Sequence, residues 1–227
     1  IKMNDKQLRK IISDSLGKKK LDEAYVTQSK KYELSTELLS EKTKAAHQEL
    51  FEKYSTQLNK VSAQLDVAAR EDANPNYSEF RSLKMDETHN INGSYLHALY
   101  FDNISDVNSI VMLDALAYLR LERDFGSFDD WQSDFIACAL SSRGGWAMTV
   151  YSLPLQRYMN VVVDGHTNGI PAATIPIICL NVAEHSYFRD YLADRKAYIY
   201  AMMKELNWDV IEGRVKKAEK IAKLMSK

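Results

Sequence analysis

The sequence predicts an α+β protein, with a helical first half and a second half built around a small antiparallel sheet. In the first half, Leu50, Tyr54, Leu58 and Val61 recur at intervals of three or four residues, which is the spacing of one face of an α-helix. In the second half, three short runs rich in β-branched and aromatic residues alternate with turn residues, as is typical of strands. Hydrophobic residues make up 45% of the 227 positions, enough for the core of a folded chain.

Each element is predicted from its own local pattern. Helical spacing covers residues 6–12, 42–65, 91–100, 107–121 and 129–140, and Asn74-Pro75-Asn76 separates the second of these helices from the third. The strands are expected at residues 146–153, 158–163 and 175–180, and two closing helices at residues 186–206 and 210–225. No apolar run is long enough for a transmembrane helix, so no membrane span is predicted.

Charge is distributed unevenly along the chain, although the formal net charge is only −1. Residues 1–31 hold nine Lys and Arg against four Asp and Glu, and residues 212–227 hold six against two. The remainder carries 15 basic and 25 acidic residues. Basic ends of this kind favour a partner that carries phosphate, although a solvated lysine-rich helix produces the same pattern.

Five groups of residues occur in the order and spacing of one known family. They are Tyr54-Ser55-Thr56-Gln57-Leu58-Asn59, His97-Ala98-Leu99-Tyr100-Phe101-Asp102-Asn103-Ile104, Phe125-Gly126-Ser127-Phe128, Gly144-Gly145-Trp146-Ala147-Met148 and Leu180-Asn181-Val182-Ala183-Glu184-His185-Ser186-Tyr187-Phe188. Over residues 33–215 the chain resembles the iron/manganese superoxide dismutases. That resemblance implies a helical hairpin domain at residues 33–122 and an α+β domain with a three-stranded antiparallel sheet at residues 123–208. A basic N-terminal extension at residues 1–32 and a basic C-terminal helix at residues 209–227 are expected to flank them.

The family holds one iron or manganese ion with three His and one Asp, so the resemblance implies four ligand positions here. His97 and His185 occupy two of them. Asn181 stands at the Asp position, and a neutral amide is a poorer ligand than a carboxylate for a highly charged ion. Counting back from Tyr54 at the family's spacing places the last position at Ala46. His47, about 100° further round the helix, is expected to point away.

Residues around these positions also differ from the family's pattern. The Gln that hydrogen-bonds metal-bound solvent corresponds to Gly169 or to Gly93, and neither glycine has a side chain to replace it. Groups around a metal orient its ligands and tune its redox potential. The sequence therefore predicts a degenerate site without catalytic residues, cofactor or metal, with iron or manganese expected only if the chain is active.

Among dismutase-like chains, this one resembles the inactive proteins of the fungal mitochondrial small ribosomal subunit. The resemblance implies a pseudoenzyme, a structural ribosomal protein of the mitochondrial matrix within the ribonucleoprotein that carries out translation. Its expected partners are mitochondrial ribosomal proteins, including a second dismutase-like chain, and ribosomal RNA at the basic tails. Glu184, His185 and Tyr187 are candidates for the dimer interface, or alternatively for core packing. Whether the chain pairs with itself or with a relative stays open.

The alternative is a divergent but active iron/manganese superoxide dismutase. In that case His47, His97 and His185 bind the metal, and Asn181 or water completes the ligand set. Dismutation requires two oxidation states of one metal ion, and a neutral ligand set favours the divalent state. The iron or manganese content of the purified protein distinguishes the two hypotheses.

Overall fold

The chain folds into seven helices and three strands within residues 30–104 and 109–225, which are the residues that the computed structural model describes. The helix expected at residues 6–12 lies outside them. The helices are α1 (Glu41–Val67), α2 (Glu79–Asn103), α3 (Leu116–Phe125), α4 (Phe128–Ser141), α5 (Glu184–Tyr191), α6 (Arg195–Lys204) and α7 (Trp208–Met225). The strands are β1 (Trp146–Ser152), β2 (Arg157–Val163) and β3 (Thr174–Asn181). The prediction of an α+β fold with a helical N-terminal region and a three-stranded antiparallel sheet is confirmed.

Helices α1 and α2 pack against each other along the first half of the described chain. Each begins at a serine whose hydroxyl accepts a backbone N–H of the first turn: Ser40 from Thr43, and Ser78 from Arg81. Such caps satisfy N–H groups that have no partner inside the helix. A hydrogen bond between the buried hydroxyls of Ser55 and Ser94, 3.1 Å apart, joins the two helices across their interface.

The sheet has the order β2-β1-β3, and both pairs of strands are antiparallel. All seven residues of the central strand β1 are buried, because helices and neighbouring strands cover it. Trp146 begins β1 and lies directly opposite Asn181, the last residue of β3. This register places the Asn181 side chain at the edge of the sheet that faces the helical hairpin.

The main core cluster joins the hairpin to the sheet, and a smaller one lies at Val61, Leu65, Ala68 and Leu83, away from the sheet. The largest fully buried side chains of the main cluster include Trp131, Trp146, Tyr100, Tyr158 and Phe101. Full burial of a large apolar side chain stabilises the fold by roughly 1.5–3 kcal/mol. The metal-ligand positions of the hairpin are therefore fixed against the second half by packing.

Three helices differ clearly from their sequence-based bounds. The helix expected at residues 91–100 already begins at Glu79, where Ser78 caps it. The helix expected at residues 107–121 begins only at Leu116, and the preceding Ile110 and Leu113 are 78% and 71% exposed, so this apolar run packs against little. The helix expected at residues 186–206 is two helices, separated at Leu192, whose φ is 50°.

No helix among the described residues has the length and apolar character to cross a bilayer. The proposed domain boundaries stay predictions.

Candidate metal centre

Three histidines from three separate helices meet at one point. His47 lies in the second turn of α1, His97 lies in α2, and His185 lies in the first turn of α5. One ring nitrogen of each lies within 4.8 Å of the others. A group of nitrogen atoms this close together is the arrangement that one transition-metal ion requires.

The helix register of α1 brings His47, and not Ala46, to this point. The buried residues Thr43, His47, Phe51 and Ser55 follow one another at intervals of four along one face of α1, as expected for a helix face that packs inward. His47 is 2% exposed, whereas Ala46 is exposed. The expectation that His47 points away is therefore wrong.

All three imidazoles are neutral at ordinary pH. Burial is the main cause, since it lowers the pKa of His97 to about 3 and holds the pKa of His47 well below 6.5. His185 is open to solvent on one side, yet desolvation by its other neighbours lowers its pKa to about 4. His97 Nδ1 lies 2.6 Å from the backbone carbonyl oxygen of Gly93 and donates its proton there. The Nε2 lone pair of His97 is thereby available to a metal, in the orientation typical of a ligating histidine.

Asn181 lies at the centre of the histidine cluster. Its Nδ2 is 3.3 Å from His47 Nε2, 3.2 Å from His97 Nε2 and 3.1 Å from His185 Nε2. Its Oδ1 accepts a hydrogen bond of 2.9 Å from the backbone N–H of Ala183. The amide oxygen can accept the Ala183 N–H and the amide NH₂ group cannot, so this bond determines which amide atom points at the histidines.

A second hydrogen-bonded group adjoins the cluster. Trp146 Nε1 donates to His166 Nδ1 at 3.1 Å, and His166 Nε2 lies 2.7 Å from the Tyr54 hydroxyl. Because Nδ1 accepts, Nε2 carries the proton of the neutral ring and donates it to the Tyr54 oxygen. The ring centroids of Tyr54 and His166 lie 5.2 Å and 5.7 Å from that of His97, so this group borders the histidine cluster.

Neither of the two glycines at the position of the missing Gln has room for a side chain. Gly169 has a φ of 98°, and a Cβ there would lie 2.3 Å from the Val162 carbonyl oxygen, so no side chain fits. A Cβ at Gly93 would lie 2.7 Å from Tyr54 Cδ1. Sequence reasoning missed His166, and the available signal was a histidine three residues before Gly169 in the same loop.

The cluster opens to the surface on the side of α5. A cavity of about 490 Å³ is lined by Ala46, His47, Glu184, His185, Phe188 and Arg189. Glu184 and His185 are exposed at this face, and their role in a dimer interface stays a prediction. Tyr187 is only 7% exposed and stacks on the Tyr198 ring at 5.3 Å, so it packs in the core of this chain.

The donor set fits iron or manganese through the histidines. Three neutral imidazoles suit a transition-metal ion, and the Gly93 carbonyl fixes the orientation of one of them. Asn181 fits less well in its observed orientation, because it presents an amide nitrogen where a metal needs an oxygen. The three histidines are therefore the candidate metal ligands.

Sequence comparison identifies relatives with named activities. The profile described as "Iron/manganese superoxide dismutases, C-terminal domain" matches residues 115–214. The chain is 34% identical to the superoxide dismutase [Fe] of Aquifex aeolicus over 187 residues, which is 82% of this chain and 86% of that protein. It is 39% identical to superoxide dismutase [Mn] 1 of Halobacterium salinarum over 124 residues, 55% of this chain and 61% of that protein.

These findings correct the functional predictions made from the sequence. The hypothesis of a non-catalytic ribosomal protein is wrong, because the relatives are named as superoxide dismutases and give no support to a ribosomal, translational or mitochondrial role. The expectation of a degenerate site without metal is also not supported, because three histidines converge and the relatives are named for iron or manganese. The partners and the location in the cell stay predictions. With a relative 34% identical across 86% of its length, the chain belongs to the iron/manganese superoxide dismutase family.

Proposed function

We propose that this protein is a superoxide dismutase that binds iron or manganese through His47, His97 and His185. The observation that carries the proposal is the convergence of these three ring nitrogens within 4.8 Å, from three helices. Two relatives of this chain are named as iron and manganese superoxide dismutases. A degenerate site under no functional constraint would have little reason to keep all three imidazoles directed at one point.

A bound iron or manganese ion supplies the two oxidation states by which one superoxide is oxidised to oxygen and another is reduced to peroxide. The protein's part is to position ligands and protons. Burial keeps the imidazoles neutral, and Gly93 fixes the ring of His97. Reduction of superoxide to hydrogen peroxide consumes protons, so a proton donor near the metal position is required.

Tyr54 and His166 are suited to hold such a proton. His166 Nε2 donates to the Tyr54 oxygen, which leaves the hydroxyl proton of Tyr54 free to be donated elsewhere. Burial raises the pKa of Tyr54 above 10.0, so the phenol keeps its proton at neutral pH. Trp146 anchors the far side of His166 and holds its ring in place.

Metal content and dismutase activity of the purified protein test the proposal. Protein produced with iron or manganese should carry close to one ion per chain and should accelerate superoxide decay. The His47→Gln variant should lose metal and activity by about tenfold or more, whereas Lys42→Gln, exposed on the same helix and outside the cavity, should keep both. Wild-type protein that carries neither metal nor activity after production with each ion would contradict the proposal.

A second copy of the chain is the proposed cover of the cavity beside His185. The candidate ligand His185 is exposed there, and Phe188 is 52% exposed. Glu184 and Arg189 place both signs of charge on this one face, and a two-fold interface must be complementary to itself. Sedimentation should give twice the chain mass of 26.0 kDa. Arg189→Glu should weaken pairing, and Lys217→Glu on α7 should not; a monomeric wild type would refute this arrangement.

A further inference from the structure

The side-chain amide of Asn181 connects the histidine cluster to the start of helix α5. Its nitrogen faces three imidazole nitrogens at 3.1–3.3 Å. Its oxygen accepts the backbone N–H of Ala183 at 2.9 Å. Ala183 is the residue that precedes α5, and no side chain of its own caps that helix. The Asn181 amide therefore presents a donor to the histidines and an acceptor to the Ala183 N–H.

The observed orientation of the Asn181 amide suits the cluster only while the imidazole nitrogens need a hydrogen-bond donor. His97 Nδ1 donates to Gly93, so His97 Nε2 is an acceptor and can take an amide proton of Asn181. A cation at the centre of the cluster reverses this requirement, because the amide hydrogens would point at a positive charge. The amide oxygen is the atom that binds metal ions.

We propose that the Asn181 amide rotates by about half a turn when a metal ion binds, so that Oδ1 faces the ion and the Ala183 N–H loses its acceptor. The proposal rests on the metal site of the proposed function and adds a coupling to it. Metal binding would loosen the first residue before α5, the helix that carries the ligand His185 and the exposed face at Glu184.

An aspartate at this position would not need to rotate. A carboxylate has two oxygens, so one can face the ion while the other keeps the Ala183 N–H. Asn181→Asp is therefore the matched variant, because it has nearly the same shape and removes only the exchange of nitrogen for oxygen. The backbone N–H of Val182, which donates to the Gly145 carbonyl at 2.9 Å, is an internal reference that should be insensitive to the rotation.

Hydrogen exchange at single backbone amides, measured by NMR, tests the rotation. Zinc is the probe because it is diamagnetic and binds imidazole nitrogen. In wild-type protein, zinc should make exchange of the Ala183 amide faster by roughly five- to tenfold, the effect of losing one ordinary hydrogen bond. The Val182 amide should not become faster. In Asn181→Asp, the Ala183 amide should stay protected with and without zinc.

The outcomes separate this proposal from the one on which it rests. Zinc binding, seen as shifts of the His47, His97 and His185 ring resonances, together with unchanged Ala183 exchange would overturn the rotation alone. No binding of zinc by the wild type would overturn both the metal site and the rotation. If Asn181→Asp does not fold, the comparison of Ala183 with Val182 in the wild type still decides between rotation and a fixed amide.

Discussion

Gly93 shows how tightly the surroundings of the metal position are packed. A Cβ at this position would lie 2.7 Å from Tyr54 Cδ1, closer than carbon atoms approach without displacement. Gly93→Ala should therefore displace the Tyr54 ring, weaken its hydrogen bond to His166 and lower the free energy of unfolding by about 1–3 kcal/mol. Urea denaturation measures the stability, and superoxide decay measures the consequence for the site.

Gly213 in α7 is the matched control for this substitution. It is also a helical glycine, and a Cβ there would meet no atom within 4 Å. Gly213→Ala should raise the free energy of unfolding by about 0.5–1 kcal/mol, because alanine loses less conformational freedom in a helix. Equal effects of the two substitutions would show that Tyr54 does not pack against Gly93 as described.

His166 is expected to act through its two hydrogen bonds. In His166→Ala, the Trp146 N–H is left without an acceptor in a fully buried position, which costs about 1–3 kcal/mol of stability. Tyr54 also loses its partner, so dismutase activity should fall. His166→Gln can accept from Trp146 and donate to Tyr54, and it should keep most of both properties. If His166→Ala and His166→Gln have the same stability and the same activity, the hydrogen bonds of His166 contribute to neither property.

Single residues of the site could be predicted from the sequence to different degrees. His97, Asn181 and His185 were found because they lie in recognisable motifs. The orientation of His47 was predicted wrongly, because counting residues back from Tyr54 at the family's spacing placed Ala46 at the ligand position. The inward face of the helix determines which residue points there. His47 and Tyr54 are seven residues apart, which is nearly two full turns, so they lie on the same face. His166 was missed because its position depends on the backbone of a loop with glycines at φ 74° and 98°.

Helix α3 illustrates an element whose start is set by a distant residue. The Glu212 carboxylate in α7 accepts the backbone N–H groups of Leu116 at 3.3 Å and Ala117 at 2.7 Å. These N–H groups have no partner within the helix, so the carboxylate takes the place of a cap. No local pattern could have shown this, which explains why the sequence placed the start of the helix at residue 107.

The Glu212 cap should make part of the stability depend on pH. Burial raises the pKa of Glu212, but hydrogen bonds from Ala117, Lys216 and Leu116 outweigh it, so the pKa lies below 4.5. A lowered pKa in the folded state stabilises the fold above the unfolded pKa, and this contribution is lost as the pH falls through the folded value. Glu212→Gln should cost about 1 kcal/mol at pH 7 and progressively less below about pH 4.

Thermal unfolding at several pH values measures this difference. Glu122→Gln, an exposed substitution in α3, is the control and should change the free energy of unfolding by less than about 0.5 kcal/mol. A cost for Glu212→Gln that stays the same from pH 7 to pH 3 would mean that the charge of the carboxylate does not cap α3.

The break between α5 and α6 was not predicted, although the sequence holds one signal of it. Asp194 caps α6 by accepting the backbone N–H of Ala197 at 2.9 Å, and an Asp before a helical run is a recognisable start signal. The preceding end of α5 is at Leu192, which has a φ of 50°. Leucine rarely adopts this conformation, so the sequence gives no sign of it. The rings of Tyr191 and Tyr198 pack against each other across this bend, with their centroids 5.7 Å apart.

At the scale of the whole molecule, the candidate metal centre joins the two halves of the chain. His47 and His97 belong to the helical hairpin, and His185 belongs to the α+β half. The order of elements and the three-stranded sheet could be predicted because they follow from local patterns and motif order. The function could not, because whether four ligand positions, two of them altered, still form a site depends on distances between residues far apart in sequence.

Metal binding should therefore stabilise the entire fold. An ion that binds only the folded state raises the free energy of unfolding by about 2.7 kcal/mol at 100 times its dissociation constant. For a domain of this size, that corresponds to an increase in Tm of about 5–10 °C. Calorimetry of protein with manganese, compared with the same protein in a chelator, should show this increase.

Variants of two histidines separate specific binding from a general effect of the cation. His47→Gln removes one of the three ligands, so its Tm should hardly respond to manganese. His89→Gln changes an exposed histidine outside the cluster, so its response should match that of the wild type. An equal increase in Tm for His47→Gln and wild type would mean that manganese stabilises the protein from some other site. A metal centre that joins the hairpin to the α+β half through His47 cannot stabilise both halves to the same extent when this ligand is removed.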